Sequence, residues 1–245
     1  MAGHSHWAKI KRAKGANDAK RGKVWSKIAR KIIIAAKSGG GDPKENLSLR
    51  YVIDEAKAAN MPKDTIEKAV AKGTGELGAE NFENVVYEGY GPGGVALLAE
   101  ALTNNRARTA PEMRKIFEVA GGNMAASGAV AFQFTKRGII TINANAVSED
   151  RLIEQALEAG AEDVRNEGEV FEVITTPTAF HRVKEALAAL KLPIEASEIT
   201  HLPSNTVPVQ GEIAQRILKL IDALEDHDDV QNVSHNAEIP ESAIV

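Results

Sequence analysis

Residues 17–73 carry three stretches in which apolar side chains recur every three or four positions, the period of an amphipathic helix. In the first, Trp25, Ile28, Ala29, Ile32, Ala35 and Ala36 share one face, while Lys20, Lys23, Lys27, Arg30 and Lys31 share the opposite one. Ile34 falls among the lysines, and Ser38-Gly39-Gly40-Gly41 stops the pattern. Asp42-Pro43-Lys44-Glu45 predicts a restart: Asp42 can accept at the N-cap, Pro43 suits a first turn and Glu45 can reach back. Leu49, Val52, Ile53 and Ala56 mark the second stripe. Met61-Pro62 opens a third helix, striped by Ile66, Ala69 and Val70 and ended by Gly73. Residues 1–16 show no strong period and read as a basic arm that orders on binding.

The period then shortens. Asn84–Gly91 and Gly94–Thr103 read as extended runs joined at Gly91-Pro92-Gly93, a hairpin-like pair. Thr109-Ala110-Pro111-Glu112 has the form of a capping box ahead of Met113, Ile116, Phe117 and Ala120. Ala129–Phe134 alternates as a strand does. Residues 138–201 then give the order βαββαβ, a ferredoxin-like or split-βαβ unit. After a linker at Pro203–Pro208, Glu212–Leu224 is helical and Val230–Ile239 extended, which completes the hairpin–helix–strand of 84–134. The expected fold class is α+β in three domains: an N-terminal three-helix domain, then two α/β domains of ferredoxin-like or split-βαβ type, the third inserted in the second. The expected spans are 1–80, then 81–135 plus 205–245, and 136–204 for the insertion. No apolar pattern anchors the Gly73–Gly78 connection, so the helical domain is expected to move relative to the rest.

Composition sharpens this picture through charge. The whole chain of 245 residues carries a net charge of −4. Residues 1–37 alone hold eight Lys, three Arg and one acid, a net +10, which leaves −14 on the remaining 208 residues. Such a basic head on an acidic body is the electrostatic footprint of a polyanion-binding protein. With no cysteine there is no disulfide framework, no thiolate nucleophile and no cysteine-based zinc site. The longest apolar run near the start, Ile32–Ala36, is too short for a signal-peptide core or a membrane span. The default is a soluble cytoplasmic protein.

Candidate chemistry is sparse. Gly73-Thr74-Gly75-Glu76-Leu77-Gly78 matches G-x-G-x-x-G but follows a helix, where the dinucleotide fingerprint must follow a strand, so a C-cap and linker is the better reading. Tyr87–Gly94, YEGYGPGG, opens no helix and reads first as a tight turn. Tyr87 and Tyr90 beside its glycines make it a candidate stacking loop for bases. Three positions apart on a strand, the two rings should point to opposite faces, one into the core and one more accessible. His4 and His6 could pair on a metal, but their lysine neighbours favour phosphate or base contact, or no contact. The run Glu225-Asp226-His227-Asp228-Asp229 lacks calcium-loop spacing and lies where acids oppose a helix dipole, so it reads as a solvated acidic face. No G-x-S-x-G or H-E-x-x-H occurs. Arg106 and Arg108, just ahead of the expected helix at Thr109, are candidate phosphate contacts or plain surface residues.

Ala2-Gly3-His4-Ser5, Trp7, Lys14, Asp18-Ala19-Lys20-Arg21-Gly22-Lys23, Gly39-Gly40-Gly41-Asp42-Pro43, Tyr87 to Gly94, Asn105-Arg106-x-Arg108-Thr109 and Leu224-Glu225-Asp226-x-Asp228-Asp229-Val230-Gln231 together resemble the YebC family, in order and over essentially the whole chain. The resemblance implies a cytoplasmic protein with a helical N-terminal domain and two α/β domains. Bacterial members are described as probable DNA-binding transcriptional regulators, and some have been linked to the ribosome. A mitochondrial relative is a translational activator for a cytochrome oxidase subunit. The family brings no agreed catalytic residues. His6 departs from it, standing where Lys is common.

The expected function is therefore a nucleic-acid-binding regulator of gene expression, most simply a DNA-binding transcriptional regulator, and not an enzyme. A ribosome- or RNA-associated translation factor is the alternative, and an enzyme with an interdomain site the remote one. Phosphate contacts are expected from Lys9, Lys11, Arg12 and Lys14 on the arm, from Lys20, Arg21, Lys23, Lys27, Arg30 and Lys31 on the helix, and from Arg106 and Arg108. No cofactor, metal, membrane or small-molecule substrate is expected. Charge does not separate DNA from RNA, and nothing in the sequence fixes a target or an oligomeric state.

Overall fold

A computed structural model describes residues 21–78, 81–240 and 243. Lys9, Lys11, Arg12, Lys14 and Lys20, with His4 and His6, lie outside the described residues, as does the Arg21 side chain.

The helical unit comprises α1 (Arg21–Gly39), α2 (Leu47–Ala58) and α3 (Lys63–Thr74). Ile28, Ile32, Ala36, Leu49, Ala56, Ile66 and Ala69 form its core, on the faces that the periodicity picks out, and Ile33 and Met61, outside those stripes, are buried with them. The Trp25 indole N–H donates to the Ala59 carbonyl at 3.0 Å, fixing α1 against the end of α2.

Two boundaries differ from expectation. The second helix is capped by Asn46, not Asp42. The Asn46 side chain accepts from the Leu49 amide at 3.0 Å and donates to the Ala35 and Gly40 carbonyls, both at 2.8 Å. One buried amide thus satisfies both ends of the α1–α2 corner. Asp42 is spent on that turn, its carboxylate accepting from the Lys44 amide. The third helix runs past Gly73 to a left-handed cap at Gly75. Gly73 is needed for close approach instead: a Cβ there would lie 2.6 Å from the Ala36 methyl and from the Ile33 carbonyl oxygen.

In the second unit, β1 (Glu83–Tyr90), β2 (Ala96–Thr103), β3 (Asn123–Met124) and the late strand β9 (Val230–His235) form an antiparallel sheet in the order β3-β1-β2-β9. Helices α4 (Arg106–Val119) and α7 (Gly211–Glu225) cover one face, burying Met113, Phe117, Ile217, Leu220 and Leu224 against Val85, Tyr87, Leu97 and Val233. The third unit is β4 (Phe134–Asn143), α5 (Glu149–Ala159), β5 (Asp163–Asn166), β6 (Val170–Thr175), α6 (Phe180–Ala189) and β7 (Ile194–Pro203), with sheet order β5-β6-β4-β7. All its strand pairs are antiparallel, the ferredoxin-like arrangement. A short parallel pair, β8 (Val207–Pro208) with β10 (Ala237–Glu238), closes the return to the second unit. Edge strands β7 and β9 meet through Thr200, whose hydroxyl lies 2.9 Å from the Asn232 amide and 3.2 Å from the Ser234 hydroxyl.

Residues 129–134 do not form the expected strand. They include a 3-10 turn, Ala131–Gln133, because the buried Glu88 carboxylate gathers the amides of Gly128, Val130 and Ala131 at 2.6–2.9 Å. Burial raises the Glu88 pKa, but those three N–H donors outweigh it and hold it below the usual carboxylate range. The expected capping box at Thr109 is also displaced. Asn105 caps α4 by accepting from the Arg108 amide, which places Pro111 one turn inside the helix.

On the sheet face away from α5 and α6, Glu172 pairs in register with Thr141, and both are buried. Neither the Glu172 Oε1 nor the Thr141 hydroxyl has a hydrogen-bond partner among the described residues. Burial pushes the Glu172 pKa up to about 8, with Glu167 adding to the shift and Arg165 opposing it. A raised folded pKa stabilises fully below the unfolded value, about 4.3, and that contribution is lost as pH rises through the folded value. Glu172→Gln should therefore gain stability relative to the native chain by about 1.4 kcal/mol per pH unit across that window, and stay level above it. Urea unfolding of the two proteins from pH 5 to 9 checks this.

Candidate nucleic-acid interface

Lys23, Lys27 and Arg30 recur once per turn on α1, on the face opposite its core stripe, as the helical period requires. In the folded chain this face meets the C-terminus of α7 and the acidic run after it. The Lys23 ammonium donates to the Asp226 carbonyl at 3.1 Å, with the Asp226 carboxylate 3.9 Å away. Lys27 donates to the Glu225 carbonyl at 2.6 Å. Arg30 donates to the Asp228 carbonyl and lies 3.3 Å from the Asp229 carboxylate. Lys31 turns back within its own unit to Glu55 at 2.8 Å.

This corrects in part the reading of Glu225–Asp229 as a solvated acidic face: Asp226 and Asp228 stay exposed, but Asp229 is buried and the turn is docked on α1. Acids at a helix C-terminus oppose the dipole, and α7 has no basic residue in its own last turn. The compensating cations come from α1, about 200 positions earlier in the chain, where no local pattern reveals them. Lys27 is half-buried between the two units. Burial lowers its pKa, and the Glu225 and Asp226 carboxylates push back against the shift.

Asp229 is the buried centre of the contact, 1% exposed. Its carboxylate accepts from the Arg108 guanidinium and from the Thr109 hydroxyl, both at 2.7 Å. Arg30 completes the set from the other unit. Burial would raise the Asp229 pKa; the Thr109 hydroxyl, Arg108 and Arg30 reverse that and hold the carboxyl below its usual range. His227 braces the turn. Its Nδ1 accepts from the Asp229 amide at 3.1 Å, which leaves the proton on Nε2, 3.0 Å from Glu112.

The remaining expected site residues are scattered. Arg108 is thus paired with Asp229, whereas Arg106 is exposed at the first turn of α4. Tyr87 and Tyr90 point to opposite sheet faces, as their spacing predicts. Tyr87 is core under α4 and α7. Tyr90 is half-buried against Ala96, Leu98, Val130 and Phe134, with its hydroxyl donating to the Ala129 carbonyl at 3.1 Å. The intervening turn packs on α7: a Cβ at Gly91 would lie 2.7 Å from the Ile217 methyl. Sequence reasoning missed a second interdomain contact. Tyr51 of α2 stacks on His181 of α6, with ring centroids 3.4 Å apart and planes 2° from parallel. Burial lowers the His181 pKa, and Lys184 lowers it further, which favours the neutral ring in that stack.

These features define a class: a three-unit α+β protein whose basic helix is docked on an acidic turn, with no metal-type cluster of His, Cys, Asp and Glu among the described residues. Residues 5–76 match the TACO1/YebC protein N-terminal domain, and residues 82–237 match the TACO1/YebC second and third domain. The chain belongs to the TACO1/YebC family. It is 53% identical over 244 residues to a protein of Desulfatibacillum aliphaticivorans, covering 100% of this chain and 99% of that one. A Treponema denticola protein is 52% identical over 241 residues, with 98% of each chain covered. Both carry the name probable transcriptional regulatory protein. The crystal structure of a conserved hypothetical protein from Aquifex aeolicus superposes with a TM-score of 0.85 at 50% identity, covering 96% of this chain and 98% of that one.

Removing the Asp229 carboxylate takes away the ion-pair partner that Arg108 and Arg30 share, while Thr109 keeps its contacts to Asn105 and Thr103. Asp229→Ala should cost about 1–3 kcal/mol in urea unfolding at pH 7. Because the folded pKa is depressed, the native advantage is present above the unfolded value, about 3.9, and disappears as pH falls through the folded one. The gap between native and variant stability should therefore close on acidification.

Proposed function

We propose that the protein is a nucleic-acid-binding regulator of gene expression that holds phosphates through its N-terminal arm and α1. The observation that carries this reading is the charge distribution: +10 on the first 37 residues and −14 on the rest. A polyanion approaching such a molecule is drawn to one end and repelled by the other. The names of the relatives, probable transcriptional regulatory proteins, support a regulatory role. DNA is the simpler partner on those names. RNA, including ribosomal RNA, presents the same phosphates and is the alternative. No helix among the described residues is long and apolar enough to cross a membrane.

Affinity should come from phosphates with little base readout, since the chain has no zinc-finger or RNP signature. Replacing Lys9, Lys11 and Lys14 with Gln tests the arm while leaving Lys23, Lys27 and Arg30 in place. Removing one cation from a phosphate flattens the slope of log K against log salt by about 0.9 on duplex DNA and about 0.7 on single strands. The triple variant should lose roughly two to three units of slope on duplex DNA, and weaken equally on unrelated sequences. Native affinity with an unchanged slope would show that the arm does not bind; weakening on one sequence alone would show base readout.

A further inference from the structure

The face of α1 that the charge distribution assigns to phosphate is occupied in the folded chain. Lys23, Lys27 and Arg30 lie about 5.4 Å apart along the helix axis, one per turn. Each meets backbone oxygens of a single short segment, those of Asp226, Glu225 and Asp228, with the Asp226 and Asp229 carboxylates alongside. A row of cations facing a row of partly and fully charged oxygens is the pattern that a phosphate strand offers. We propose that the Glu225–Asp229 run is an internal competitor for nucleic acid: it takes the place of a phosphate strand on α1, so the helical unit must leave the second unit before that face binds a polyanion. This inference rests on the function proposed above.

Three further observations fit an interface built to open. First, little apolar packing crosses it: Phe82, at the entry to β1, packs on the helical core, and the two cores are otherwise separate. The helical unit has its own core, and that of the second unit lies between its sheet, α4 and α7. Second, what joins the units here is ionic and at its rim exposed: the Lys23 and Asp226 side chains are each nearly half-exposed. Exposed pairs are weak and screened by salt. A nucleic acid offers many phosphates at once and releases condensed counterions when they are neutralised, which the internal run cannot match. Third, the connection between the units contains Gly75 and Gly78, both at positive φ, where side chains other than glycine are strained. Asp229 stays with the second unit when the interface opens, because Arg108 and Thr109 hold it from α4.

The absence of cysteine makes a distance measurement direct. Spin labels at Lys57→Cys on α2 and Lys219→Cys on α7, both exposed positions, report the separation of the two units. The probes are a mixed-sequence duplex DNA and a single-stranded RNA, each of about 20 nucleotides per strand. In the free protein the distance distribution should be narrow, and saturation with nucleic acid should shift it to longer distances. Asp226→Asn with Asp228→Asn should populate the longer distance without nucleic acid and bind several-fold tighter, on the order of three- to tenfold. Glu154→Gln with Glu158→Gln, on exposed positions of α5, removes the same charge elsewhere. That control should leave the distance unchanged and affinity nearly so. An unchanged distance in native protein with nucleic acid bound overturns the competition alone. So does a control that matches the Asp226/Asp228 variant in affinity. Failure of both native and variant protein to bind either probe overturns the proposed function, and the competition with it.

Discussion

A single buried carboxylate, Asp229, is the point on which the arrangement of this molecule turns. It accepts from Thr109 and Arg108 of one unit and pairs with Arg30 of another. A buried carboxylate is tolerated only when such donors surround it. Here they come from two places in the chain, α1 and the start of α4, so satisfying one charge fixes the end of α7, the start of α4 and the docked face of α1 together. His227 sets the turn that delivers it. The acidic residues around Asp229 would be a dipole penalty in isolation. Against α1 they become the complement of its lysines.

On the proposed competition, that complementarity gives the basic segment two states with different partners. Docked, its cations neutralise a helix C-terminus. Released, as proposed above, they would form a phosphate-binding surface continuous in sequence with the arm at residues 1–16. On that proposal the strength of the ionic interface sets how much of the +10 charge is available to a partner. The Tyr51–His181 stack adds a separate tie between the helical unit and the third unit.

Much of the fold was legible because it is written locally. The stripes of Ile28, Ile32, Leu49 and Ile66 in one unit, and of Ile217, Leu220 and Leu224 in another, follow from helical period alone. The βαββαβ order of residues 138–201 follows from alternating periods and turn residues. What was misread depends on partners distant in sequence. Residues 129–134 alternate like a strand, yet Glu88, some forty positions earlier, takes their amides and bends them. Thr109-x-x-Glu112 has the form of a cap, but the Thr109 hydroxyl serves Asp229, and Asn105 caps instead. Arg108 was named for phosphate and is held by a carboxylate 121 positions away. The charge of α1 was readable; the acidic turn that meets it was not, because nothing local marks a helix end whose cations come from another domain.

The central claim is that nucleic acid is held by the charged N-terminal segment and not by the acidic body. Photocrosslinking of bound DNA or RNA to the intact chain, with the adducts mapped to residues by mass spectrometry, tests it most directly. The account predicts adducts within residues 1–37, on the arm and on the lysine face of α1. Adducts confined to residues 82–237, with the N-terminal segment unmodified, would contradict it.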